Sequence, residues 1–123
     1  MISSDTVCVM YSHPQQGKSP ETAELRKRVG VWLQTLRDAR GLSQRQLAGA
    51  LGIDYYTFIS QVESGRGRIP PDRYAAWAGA LGVELKPFVR VLMRHYDPMT
   101  YECLFDDVDS DLPSFDALKT IRQ

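Results

Sequence analysis

Leu42-Ser43-Gln44-Arg45-Gln46-Leu47-Ala48-Gly49-Ala50-Leu51-Gly52-Ile53, followed closely by Ile59-Ser60-Gln61-Val62-Glu63-Ser64-Gly65-Arg66, is the stretch on which the reading of this 123-residue chain turns. Ser43 suits an N-cap, because its hydroxyl can accept a bond from an orphan backbone N–H of a first helical turn. Gln46, three residues later, completes a capping box. Leu47, Ala48 and Leu51 then fall on one face of a short helix, and Gly52 breaks it. A second short helix is expected next, capped by Asp54, with Phe58, Ile59 and Val62 facing inward and Gly65 as its stop.

Helical periodicity extends outward on both sides of this pair. Over residues 21–40 the apolar Leu25, Val29, Trp32, Leu33 and Leu36 recur at spacings of three and four, which paints one stripe along a helix ended by Gly41. After the pair, Pro70 and Pro71 forbid the preceding residue from continuing any helix. Pro71 or Asp72 can open a fourth helix with Tyr74, Ala75, Trp77, Ala78 and Leu81 on its apolar side, closed by Gly82. A fifth, over residues 85–95, tolerates Pro87 in its first turn and carries Phe88, Val89, Leu92, Met93 and Tyr96. The expected fold is all-α, with five helices and no strand. Residues 1–20, rich in Ser, Gln, Gly and Pro without sustained periodicity, read as a flexible arm, residues 21–96 as the domain, and residues 97–123 as a partly disordered extension. Within that extension, residues 99–105 can form one more apolar element folded back on the body.

A net charge of zero conceals a division along the chain. Residues 21–95 carry twelve basic side chains against seven acidic ones, a balance of +5, whereas from Tyr96 onward seven acids face only Lys119 and Arg122, a balance of −5. A basic body is the footprint of a protein that binds phosphate backbones, although solvated charged faces give the same count. No apolar run approaches the roughly 18 residues that a membrane span needs, and residues 1–10 lack the pattern of a secretory leader, so a cytoplasmic protein is expected. Cys8 and Cys103 lie far apart, and neither has a neighbouring Cys or His at metal-ligand spacing; His13 and His95 are equally isolated. No cofactor or metal is expected. The run from Ser64 to Arg68 lacks a P-loop lysine, and no paired carboxylates or nucleophile with a base stand out, so an enzyme is not expected.

A helix-turn-helix needs a small residue where its helices cross, a glycine in the sharp turn, and branched apolar residues on the inner side of the second helix. Ala48, Gly52 and the set Ile53, Ile59 and Val62 meet those demands in order. Over residues 29–83 the chain resembles the lambda repressor and Cro-like helix-turn-helix family, also called the XRE family. The resemblance implies a five-helix DNA-binding domain whose third helix enters the major groove of double-stranded DNA. It implies that Gln44 binds a phosphate and braces the recognition helix, with Arg45 beside it, and that Tyr55, Tyr56, Thr57, Ser60 and Gln61 are the candidates at the bases. Thr57 can offer its methyl group to thymine and Gln61 can pair with adenine, whereas Tyr55 and Tyr56 can instead serve phosphates. Arg66 and Arg68 fall on a loop that in relatives runs beside the DNA backbone. Arg37 and Glu63 match positions that pair as a partly buried salt bridge in some relatives. Between Gly52 and Glu63 the chain has one residue more than the commonest family spacing, which lengthens either the turn or the start of the third helix.

The function expected from these features is a sequence-specific transcriptional regulator, ordinarily a repressor, binding a palindromic operator as a homodimer, because two-fold symmetry doubles a short site. Phe88, Val89, Leu92 and Met93 of the fifth helix, with the segment to Phe105, either make the dimer contact or complete the core of a single copy. A second reading keeps the fold but binds a protein, as an antiactivator or an antitoxin would. It draws on the acidic tail with Leu112, Phe115 and Leu118, which can dock on a partner or on the domain itself. Trp32, Tyr74 and Trp77 sit at helical spacing among apolar residues and read as core or interface aromatics; Arg26, Lys27 and Arg28 read as a solvated face or a minor phosphate contact.

Overall fold

The computed structural model describes residues 20–105 and 112–120. The arm expected over residues 1–20, apart from Pro20, lies outside them, with Cys8, His13 and residues 106–111 and 121–123. The described chain runs α1 (Pro20–Arg40), α2 (Gln44–Leu51), α3 (Thr57–Ser64), a 3₁₀ turn (Pro71–Arg73), α4 (Tyr74–Leu81), α5 (Leu85–Tyr96), α6 (Pro98–Leu104) and α7 (Phe115–Leu118). It is all-α, and its only extended pairing among the described residues is a single antiparallel bridge between Val83 and Lys119. No described helix is long and apolar enough to cross a membrane.

The stripe on α1 buries Val29, Trp32, Leu33 and Leu36 against α3 and α5. Gly30 shares this stripe because α1 and α3 touch backbone to backbone: a Cβ at Gly30 would lie 2.3 Å from the Glu63 carbonyl oxygen. The core continues through Leu47 and Ala48 of α2, Ile59 and Val62 of α3, Trp77, Ala78 and Leu81 of α4, and Phe88 and Leu92 of α5. The Trp32 and Phe88 rings stack with centroids 5.8 Å apart, joining α1 to α5. Burial of these side chains is the main stabilising term, at roughly 1.5–3 kcal/mol for each large apolar side chain.

The structure corrects several expectations. Two helices follow the expected five: α6 stands where an apolar element was expected over residues 99–105, and α7 was not anticipated. Asp54 caps nothing: it is exposed in the turn, and α3 starts at Thr57 with Tyr56 at the N-cap position and no side-chain cap. Asp54 stands two places before the N-cap position, too early to cap the first helical amides. Ala75 is exposed, because Tyr74, Trp77, Ala78 and Leu81 already fill the inward positions of α4 and Ala75 lies off that spacing. On α5, Phe88 and Leu92 are completely buried while Val89 and Met93 are half-buried, and Val91, not anticipated as core, is buried.

Residues 112–120 are ordered against the body. Leu118 is 3% exposed within the core, and Leu112 and Phe115 pack against it. The Trp32 indole N–H donates to the Pro113 carbonyl at 2.6 Å. The Glu84 amide donates to Leu118 O at 2.8 Å, and the Thr120 amide to Gly82 O at 2.9 Å. The tail residues Leu112, Phe115 and Leu118 therefore serve the chain's own core.

Candidate nucleic-acid interface

The start of α2 is built as its local sequence dictates. Ser43 Oγ accepts from the Gln46 amide at 3.0 Å, and Gln46 Oε1 accepts from the Ser43 amide at 2.8 Å, the reciprocal capping box. Gly52, with φ of 71°, closes the helix and feeds the turn, where the Ile53 amide reaches Ala48 O at 2.9 Å. A residue with a Cβ would be strained in that left-handed conformation.

Behind α2 and α3 lies one polar network. Glu63 is 6% exposed and Arg37 7% exposed. Arg37 Nε donates to Glu63 Oε2 at 2.6 Å and Nη2 to Oε1 at 3.0 Å, while Nη1 donates to the Leu42 carbonyl at 2.8 Å. Gln44 Nε2 donates to Glu63 Oε1 at 3.0 Å. One carboxylate thus receives three donors from two elements. The hydrogen bond to Glu63 holds the Arg37 guanidinium pKa above its ordinary value against the opposing pull of burial. The network pins α1, the loop at Leu42, the first turn of α2 and the end of α3 to one another. Gln44 is half-buried and braces α3 through this bond.

On the opposite side of α3, Thr57, Ser60 and Gln61 are exposed at helical spacing, while Ile59, Val62 and Glu63 are buried. The turn before them presents Tyr55, 74% exposed, and Tyr56, whose ring lies under the Arg45 guanidinium at 4.6 Å. Arg45, Tyr55, Tyr56, Thr57, Ser60 and Gln61 are therefore all exposed on the α2–turn–α3 unit. Arg66 is exposed just past Gly65, and the Arg66 and Gly67 amides both donate to Gln61 O at 3.0 Å.

Arg68, on the same loop, is half-buried and held by the chain's own side chains. It is turned inward: Nη1 lies 3.2 and 3.3 Å from the two Asp97 carboxylate oxygens, Nη2 donates to the Tyr74 hydroxyl at 2.6 Å, and Cζ lies 4.5 Å from the Tyr96 ring centre. The Tyr96 hydroxyl accepts from the Ile69 amide at 3.3 Å, and burial pushes its pKa up to about 12. Phe88 and Leu92, candidates for a dimer contact, are enclosed in this chain's core, so neither reaches a surface that a second copy could touch.

Three features had no reading from sequence. Gly30 inside an apolar stripe was a visible anomaly, since glycine weakens a helix interior unless something approaches closely. The partnership of Arg68 with Asp97, and that of Trp32 with Pro113, span 29 and 81 residues, and neither has a local signal. Among the described residues no three His, Cys, Asp or Glu side chains converge as a metal site. His95 is buried, with Nδ1 2.8 Å from the Val91 carbonyl, and burial lowers its pKa.

A family model described as a helix-turn-helix domain matches residues 28–88, from the middle of α1 into the first turns of α5. That segment, just under half of the chain, is similar to a helix-turn-helix domain. A search of the curated proteins returned no match.

Proposed function

We propose that the protein is a sequence-specific transcriptional regulator that lays α3 in the major groove of a palindromic operator, acts as a homodimer and represses by occupying a promoter. The observation that carries this reading is the contrast between the two sides of α3: a polar face of Thr57, Ser60 and Gln61 toward solvent, and a rigid anchorage through Glu63 behind it. Gln61 has the two-pronged amide that reads adenine, and Thr57 the methyl group that packs on thymine. Arg45, stacked on Tyr56, and Arg66 supply charge to the phosphates on either side. With Phe88 and Leu92 enclosed, contact between copies falls to the half-buried Val89 and Met93 and to the exposed Leu85, Met99 and Leu104.

The rival reading, a protein-binding module working through the tail, loses support because Leu118 is buried and Leu112 and Phe115 pack on the chain's own core. Gel shifts on the gene's own upstream region and on duplexes selected from a random pool, at two salt concentrations, test the proposal. Wild type should bind specifically and more weakly at higher salt, as released counterions require. Gln61→Ala should cost roughly 1–3 kcal/mol and relax specificity at one base pair, the usual price of a lost bidentate contact. Equal binding of all duplexes by both proteins, or none by either, would sink it.

A further inference from the structure

The geometry points to Arg68, Tyr74 and Asp97 as positioning residues for the DNA-facing loop, a clamp that holds residues 65–69 against the end of α3. This inference rests on the DNA-binding reading for its purpose, though not for its geometry. Arg68 makes contacts in three directions: the Asp97 carboxylate at the junction of α5 and α6, the Tyr74 hydroxyl at the start of α4, and the face of Tyr96. A planar guanidinium suits this work because its donors diverge in fixed directions, which an ammonium group does not reproduce. The neighbouring Ile69 amide is held by the Tyr96 hydroxyl.

The clamp reaches the reading face through the residues just before it. Gly67 donates its amide to Gln61 O, and a Cβ built on Gly67 would come 3.6 Å from the Gln61 Cβ. On the other side of the loop, Gly65 lies against Lys27 of α1. Arg66, the exposed cation of the loop, is therefore suspended between the end of α3 and the Arg68 anchor. Asp97 lies outside the segment matched by the family model and thirty-four residues beyond Glu63, yet it fixes the loop on which that segment presents Arg66.

The competing role for Arg68 is a phosphate ligand that Asp97 merely holds back, and the two roles predict opposite signs. Binding of the full-length protein to a duplex selected by the wild type from a random-sequence pool should weaken about fivefold in Asp97→Ala, and similarly in Arg68→Ala, with the double variant no worse than either. Arg68→Lys should behave as Arg68→Ala despite keeping the charge. Tyr74→Phe, which leaves the buried ring in place, should move in the same direction by less. Amide exchange over residues 65–69 should quicken in each variant, while the α2 amides stay protected. Tighter, more salt-sensitive binding by Asp97→Ala, or full rescue by Arg68→Lys, would overturn the clamp. So would unchanged exchange in the loop. If the wild type selects no duplex, the DNA-binding reading fails, and the exchange measurement still decides the clamp.

Discussion

Two arginines hold α3 and the loop that follows it, and they do so under opposite conditions. Arg37 meets Glu63 with both side chains more than nine-tenths buried, at 2.6 Å, with Gln44 and Leu42 O completing the network. Arg68 meets Asp97 at 3.2 Å, where the Asp97 side chain is 43% exposed. The same chemistry therefore carries different weight. In the first case water cannot replace a lost partner, so each group depends on the other. In the second, water competes with the ion pair, and its value lies in direction more than in free energy. The buried clamp specifies how α2 and α3 meet; the exposed clamp aims the loop that follows.

The strongest way to break this contrast is Glu63→Ala. It leaves the Arg37 guanidinium buried without its carboxylate and should cost about 3–5 kcal/mol in chemical denaturation. A loss below about 1 kcal/mol would mean that the buried pair behaves like a surface one. Gly30→Ala attacks the same clamp from the backbone. A methyl group 2.3 Å from Glu63 O must push α3 away from α1, at a cost of about 1–3 kcal/mol or more. A variant as stable as wild type would show that the helices can separate freely. Ser43→Ala removes the α2 cap and should cost about 1 kcal/mol. Asp97→Ala should cost less than about 1 kcal/mol in stability, because water reaches its carboxylate. If it instead matches Glu63→Ala in denaturation, the difference between the two clamps disappears.

The smallest effect concerns pH beside the exposed clamp. His95, next to Tyr96, is buried, and its pKa lies below the ordinary value of 6.5. The unfolded chain therefore takes up a proton before the folded one does. Stability is complete above about pH 6.5 and declines as pH falls through the lowered value of the folded state. Thermal melts between pH 7 and pH 5 should show that decline, and His95→Phe, which keeps a buried ring without a proton site, should flatten it.

Legibility followed the range of the interaction. The capping box at Ser43 and Gln46, the left-handed stops at Gly41, Gly52, Gly65 and Gly82, and the stripe on α1 all depend on neighbours within one or two helical turns, and all stand as read. The outward face of α3 was also legible, since Thr57, Ser60 and Gln61 stand opposite Ile59 and Val62. Asp54 was misread because a good capping residue says nothing about the turn in which it lies. Leu112, Phe115 and Leu118 read as able to dock on a partner or on the domain itself, and local pattern cannot choose between the two, because the hole that takes Leu118 and the partners of its segment come from residues 82–84 and Trp32, far back along the chain.

The sequence by itself determined the five helices of residues 20–96 and the polarity of most of their faces, because these follow from periodicity and capping chemistry between near neighbours. Only the tertiary structure decided the fate of Arg68: Arg45 and Arg66 are exposed, and the pairing of Arg37 with Glu63 was implied by the family resemblance, but nothing near Arg68 in the sequence announces Asp97, 29 residues further on. The physical reason is that the fate of a guanidinium depends on whether folding brings a carboxylate within about 3 Å of it, and that distance is set by packing across the whole domain.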